Sequence, residues 1–214
     1  MSSLDPFLVK QQSEQRILAA GGRICDWLPV IERRSPRPTG EVVARALILN
    51  ALLNIYFKAP IPIIAGWIED NGLRDALSPS EKALLAKTND ELTERDEITI
   101  YWFIEALWSF MWAGSLISAM PFDESVGDGM AALCPNLERG EGPEKFSQHM
   151  RLRPSDELFA ELDLYFRLHW WTRDANLNGY DTGSVKLSVI MERRKALEWI
   201  LDPTCDWDHV PDNT

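Results

Sequence analysis

The sequence predicts an all-α protein, a single-domain irregular bundle of about seven helices. Nearly every apolar segment repeats at helical spacing, and no stretch alternates with period two around an Asn-Gly or Asp-Gly turn. A chain of 214 residues, 45% hydrophobic and 26% charged, suits one domain with its own core. It divides into an N-terminal helix and Pro-rich loop (1–38), a helical core (39–201) and an acidic tail (202–214).

The first helix is expected over 4–20, with Pro6 in its first turn and Gly21-Gly22 as its stop. Pro29, Pro36 and Pro38 then impose an irregular stretch carrying Arg33, Arg34 and Arg37. Thr39 is placed to cap a second helix, whose stripe is Val42, Ala46, Leu49, Leu53 and Phe57. It ends before Pro60, and a shorter helix covers 63–71. Ser78-Pro79-Ser80-Glu81 reads as a capping box with Pro at the first helical position. A long helix is expected from 94 to 118, ended by Pro121. Residues 121–154 read as a long excursion with a short helix near Met130. Ser155 starts another long helix that Asn178-Gly179 ends, and Ser184 is placed to cap a last one through Leu201. The helices over 94–118, 155–177 and 184–201 are expected to form the centre, with the second helix across them.

The net charge of −11 argues against nucleic acid and anionic membrane surfaces as partners. Residues 1–60 hold 8 basic and 5 acidic groups, and residues 61–214 hold 14 and 28. The chain can use that contrast internally or present an acidic face to a basic partner. Met1-Ser2-Ser3-Leu4-Asp5-Pro6 has neither the basic nor the apolar region of a secretory signal. Cys25, Cys134 and Cys205 are odd in number and form no C-x-x-C pair, which points to free thiols in the cytoplasm. The stretch from Ile100 to Met120 is long enough to cross a bilayer, but Glu105 near its middle reads as a buried core helix instead.

Three constellations could carry chemistry. Glu105 stands among Trp102, Trp108 and Trp112, where a poorly solvated carboxylate needs a cation or gains acid/base character. Asp163 and Arg167, His169 and Arg173, and Trp170 and Asp174 are each four apart on one helix. They can form intrahelical pairs, or a groove in which Arg167 and Arg173 hold an anion and His169 moves a proton. Glu192-Arg193-Arg194 point in directions about 100° apart, so at least one faces inward. One Arg is expected to meet Glu105 or Asp163 and tie three long helices together. The candidate cleft is therefore Trp102, Glu105, Trp108, Asp163, Arg167, His169, Arg173, Glu192 and Arg193. The nine Trp read chiefly as core filling. A lone His without further ligands makes a poor metal site, and no metal or cofactor is expected. Neither a phosphate-binding Gly loop nor a G-x-S-x-G context is present.

Three stretches in combination carry a family resemblance. They are Gly72-Leu73-Arg74-Asp75-Ala76-Leu77-Ser78-Pro79-Ser80-Glu81, Trp102-Phe103-Ile104-Glu105-Ala106-Leu107-Trp108, and the C-terminal third. That third includes Leu152-Arg153-Pro154, Asp163-Leu164-Tyr165-Phe166-Arg167-Leu168-His169-Trp170, Met191-Glu192-Arg193-Arg194 and Asp206-Trp207-Asp208. In order and spacing the chain resembles the bacterial family called domain of unknown function 4272, chiefly from Thr39 onward. The resemblance implies a mostly helical cytosolic protein and supplies no reaction. It also implies an Asn before the Trp of the last helix, where this chain has Glu198. The expected function is a non-enzymatic protein-interaction or regulatory module with an acidic surface, its partner another cytosolic protein, in an adaptor or toxin-neutralising role. The alternative is a small-molecule binder or enzyme using the Trp/Glu/Arg/His cleft.

Overall fold

The computed structural model describes residues 4–127 and 129–213; Met1–Ser3, and with them half of the N-terminal signal reading, lie outside the described residues. Among the described residues there are eight α-helices and no strand: α1 (Pro6–Ala19), α2 (Thr39–Tyr56), α3 (Ile61–Asp70), α4 (Pro79–Leu85), α5 (Glu94–Ala113), α6 (Glu144–His149), α7 (Ser155–Asn178) and α8 (Leu187–Leu201). Short 3-10 turns fill several connections, one of them at Met130–Leu133 where the sequence suggests a helix. Helix α6 has no forerunner in the sequence reading, because six residues are too few to show a period.

The long helices pack in series. α2 lies on α5, α5 on α8, α8 on α7, and α7 on α1. Helix α8 is thus the middle of the stack, and α2 touches α5 rather than crossing all three long helices. α2 is apolar around most of its circumference, with Val42, Ala46, Ile48, Leu49, Leu52 and Ile55 all buried, because α3 and the turn after it cover its other side. The 20 residues of α5 are a core helix; no described helix is long and apolar enough to cross a membrane.

Local chemistry sets most helix ends. Asp5 caps α1 by accepting from Phe7 N at 2.9 Å. Gly21, at φ +78°, lets Gly22 N donate to Ile17 O and close it. The Ser78 capping box forms, and its Glu81 also takes two bonds from buried Arg45, at 2.6 and 2.7 Å. Thr93 and Asp96 form a second box at the start of α5, where Lys87 and Thr93 hold the Asp96 carboxyl down at about 2. Pro38 and Lys186, not Thr39 and Ser184, occupy the N-cap positions of α2 and α8, and neither makes a side-chain cap.

Helix α5 stops at Ala113, five residues before the expected end. Gly114 approaches Met150 so closely that a Cβ would lie 2.2 Å from Met150 Cε. Ser115 turns left-handed at φ +60°, and Leu116 N donates back to Met111 O. Arg153 seals the end: it lies over the Trp112 ring and donates to Trp112 O at 2.7 Å and Ile117 O at 2.9 Å. Arg37 does the same for α8, stacking on Trp199 and donating to Trp199 O at 2.7 Å, to Asp202 O and to Cys205 O. Cations at helix C-termini oppose the negative end of the helix dipole.

The charge contrast along the chain is used internally. Arg16 pairs with Glu161, Arg23 with Asp174, Arg33 with Asp156, Arg34 with Asp202, Arg45 with Glu81 and Lys58 with Glu97. The basic cluster of the Pro-rich loop is therefore committed to the fold.

The left-handed turn at Ser115 yields a direct test. A non-Gly residue there carries about 1–2 kcal/mol of steric strain, and Gly returns about 0.5–1 kcal/mol in unfolded-chain entropy. Ser115→Gly is expected to stabilise the protein by about 0.5–1 kcal/mol in urea denaturation; a loss of stability would show that the turn is held by contacts of the Ser side chain.

Candidate functional site

Three polar clusters sit between the helices, and the helical period separates them. Asp163 and Tyr165 are two residues apart on α7, hence about 200° apart, and face opposite sides. Arg193 and Arg194 diverge by about 100° on α8.

The first cluster joins α5, α8, α7 and the segment after α5. Arg193, fully buried, donates through Nε to Glu105 Oε2 at 2.8 Å. Its Nη1 donates to Pro121 O at 2.6 Å and to the Tyr165 hydroxyl at 3.2 Å, and its Nη2 to Glu124 O at 2.8 Å. The Tyr165 hydroxyl donates to Met120 O at 3.3 Å, and Val126 N donates to Glu105 Oε1 at 3.3 Å. Burial works against the Arg193 charge, but Tyr165 and Glu105 outweigh it and hold its pKa above the ordinary arginine value. Burial pushes the Tyr165 phenol up. No carboxylate oxygen or guanidinium nitrogen of this pair lacks a partner, so the cluster is a closed structural knot.

The second cluster is Asp163 with Arg167. The guanidinium grips the carboxylate in two parallel bonds, at 2.9 and 2.8 Å, and donates to Pro29 O at 3.0 Å. Its Nη1 is 3.7 Å from Glu14 on α1. This cluster fastens the Pro-rich loop and α1 to α7.

The third is His169 with Arg194. Arg194 Nη1 lies 2.6 Å from His169 Nδ1, so the imidazole is neutral and accepts there. Burial first, then the charges of Arg194 and Arg173, lower the His169 pKa to about 4, with Asp212 opposing them. Its Nε2 is buried without a partner. Arg194 Nη2 donates to Asn213 O at 2.9 Å and to Glu198 at 3.3 Å, and its Nε is likewise buried and free.

The nine residues of the candidate cleft therefore do not converge. Glu105 and Arg193 close on each other, and Asp163 and Arg167 do the same on another side of α7. An anion clamp of Arg167 and Arg173 does not form, because Arg167 is taken by Asp163 and Arg173 is exposed, with Asp212 O at 3.4 Å. His169 pairs with Arg194 rather than Arg173, and Asp174 pairs with Arg23 rather than Trp170. Glu192 is half-buried; burial raises its pKa, Lys195 lowers it and Glu105 raises it further. Trp102 and Trp108 are half-buried, Trp102 edge-on to Tyr101 at 5.2 Å. Among the described residues no group of three His, Cys, Asp or Glu is placed to hold a metal. Cys25, Cys134 and Cys205 are free, and burial pushes the Cys134 thiol up to about 12.

Sequence reasoning missed Tyr165 and the cavity beside Arg194. The spacing of Leu158, Leu162, Tyr165, His169 and Thr172 marks one buried face of α7, and a phenol there needs a hydrogen-bond partner. The cavity, of about 440 Å³, lies between residues 27–34, α7, α8 and the tail, and nothing local in the sequence signals it.

The model of the family described as domain of unknown function DUF4272 matches residues 9–210, nearly the whole chain, and the chain belongs to that family. No curated protein and no solved structure matches it.

The depressed histidine predicts a pH effect. Its folded pKa of about 4 lies below the ordinary 6.5, so its contribution is intact above pH 6.5 and is lost as pH falls toward 4. In urea titrations across that window, His169→Asn, which keeps an acceptor for Arg194, is expected to lose less stability on acidification than the wild type. Equal losses would place the acid sensitivity elsewhere.

Proposed function

We propose that this member of the DUF4272 family is a protein-interaction or regulatory module of the bacterial cytoplasm, without chemistry of its own, that binds a basic partner protein. Adaptor and toxin-neutralising roles belong to this class. The observation that carries the reading is the partition of charge. Among the described residues the buried charged groups are Arg37, Arg45, Arg167, Arg193 and Arg194 against Glu81, Glu105 and Asp163. Cations are drawn inward in excess while the chain carries −11, so the outer surface is more acidic than the composition alone implies. Such a surface steers basic partners and repels acidic ones.

An aromatic cluster supplies an anchor for such a partner. Tyr56, Phe57, Tyr101 and Trp102 form a run of ring contacts at 5.2–5.4 Å across the end of α2 and one face of α5. Phe57 is 67% exposed and Tyr101 42%, and Ile98 stands one turn before Tyr101, also exposed. Exposed rings held rigid by their neighbours, rimmed by charges such as the Lys58–Glu97 pair, have the makeup of interface hot spots. The ligand-cleft reading has less behind it, since its central carboxylates and guanidinia saturate each other.

Affinity capture from the source cell tests the proposal. The wild type is expected to retain a stoichiometric basic protein that high salt releases and that Phe57→Ala with Tyr101→Ala loses. Recovery of no stoichiometric partner, or of one indifferent to salt and to both substitutions, would sink it.

A further inference from the structure

We infer that the cavity between α2, α5 and the segment 126–138 is a binding site for a small organic amine, a primary ammonium carried on an apolar body. This goes beyond the interaction role and does not rest on it.

The cavity measures about 360 Å³, within the range of about 300–1,000 Å³ that holds small organic ligands. Leu53, Ile104, Val126, Met130 and Pro135 give it apolar walls. Cys134 also lines it, and burial pushes that thiol up to about 12, so it stays neutral. Phe57, 67% exposed, adds an aromatic ring to the lining, a surface that attracts ammonium ions.

The polar groups of the lining define the head group of the ligand. Asn50 is 5% exposed and sits inside α2. Its Nδ2 donates to Pro135 O at 3.3 Å, and because a carbonyl oxygen only accepts, that bond fixes which way the amide faces. No donor among the described residues reaches Asn50 Oδ1, yet it is not sealed from solvent as Arg194 Nε is, so it opens on the cavity. Asn54, one turn on, repeats the arrangement. Its Nδ2 is spent on Asn50 O at 2.7 Å, and its Oδ1 is likewise unpaired and unsealed. Two carbonyl acceptors on one face of α2 therefore await donors. An acceptor held in a nearly buried place without a bond is unfavourable, so a ligand N–H that meets it has a specific gain.

The charge of the lining decides between a neutral donor and a cation. Glu138 contributes a carboxylate, exposed and without a cationic partner among the described residues. Among the described residues no Lys, Arg or His lines the cavity. Asn136 brings the one unspent amide N–H group, since its Oδ1 accepts from Arg139 N at 3.1 Å. Two open carbonyls and a negative charge, with no competing cation, match an ammonium head that has three donors and no acceptor. The same set disfavours carboxylates and phosphates.

Isothermal titration of the full chain tests the site with phenethylamine, tryptamine and hexylamine, each against the alcohol of the same skeleton. At least one amine is expected to bind about tenfold or more tightly than its alcohol. Asn50→Leu removes the buried acceptor and should abolish that preference. Glu138→Lys changes an exposed side chain that makes no hydrogen bond or ion pair among the described residues. It places a cation in the lining and should abolish the preference even if Asn50→Leu does not fold. Both positions lie outside the aromatic anchor proposed for a partner protein, so loss of amine binding leaves that anchor intact. Amines that bind no better than their alcohols, or a preference that survives in either folded variant, would overturn the proposal.

Discussion

The architecture depends on one buried ion pair, Glu105 with Arg193. Helix α8 is the middle of the stack and touches both α5 and α7, so its register against its neighbours decides the position of everything else. Apolar faces alone permit sliding by a turn with little change in buried area. A guanidinium whose five N–H groups must find Glu105, Pro121, Glu124 and Tyr165 permits one register. The pair also fixes the chain that leaves α5, since Pro121 O, Glu124 O and Val126 N bond to it and Met120 O takes the hydroxyl of Tyr165 beside it.

The same device recurs at smaller scale. Arg45 joins α2 to the cap of α4, Arg167 fastens the Pro-rich loop, and Arg37 and Arg153 close the C-termini of α8 and α5. A helical protein with long irregular connections has many backbone carbonyls to satisfy away from water. Arginine, with five donors in a rigid fork, meets several at once. Among the described residues five arginines are withdrawn into the interior against three carboxylates, so acidic groups are left in excess outside.

The helices were legible where the signal is local. Ser78–Glu81, Gly21, Asn178-Gly179 and the α2 stripe from Val42 to Leu53 all act within a turn or two of themselves; only the stripe's expected last member, Phe57, falls outside, past the end of α2 and exposed. The family resemblance also held across nearly the whole chain. What was not legible depends on distant partners. Helix α5 ends early because Met150 presses on Gly114 and Arg153 claims its carbonyls, both from beyond the 121–154 excursion. An Arg of the last helix meeting Glu105 was legible, and Arg193 supplies it; the polar pairings elsewhere were not, for the same reason. Spacing on α7 correctly put Asp163 beside Arg167, but His169 prefers Arg194 on α8 to Arg173 on its own helix, and no one-dimensional pattern ranks those two. The cavity at Arg194 is made by four segments spread from residue 27 to residue 213.

A double-mutant cycle on Glu105→Leu and Arg193→Met, read by urea denaturation, tests the central claim most directly. Each single change strands a buried partner and is expected to cost about 3–5 kcal/mol. The double variant, with both charges gone, should be more stable than the sum of the two by well over 1 kcal/mol. Additivity to within about 0.5 kcal/mol would mean that the two groups act independently, and that some other contact sets the register of α8.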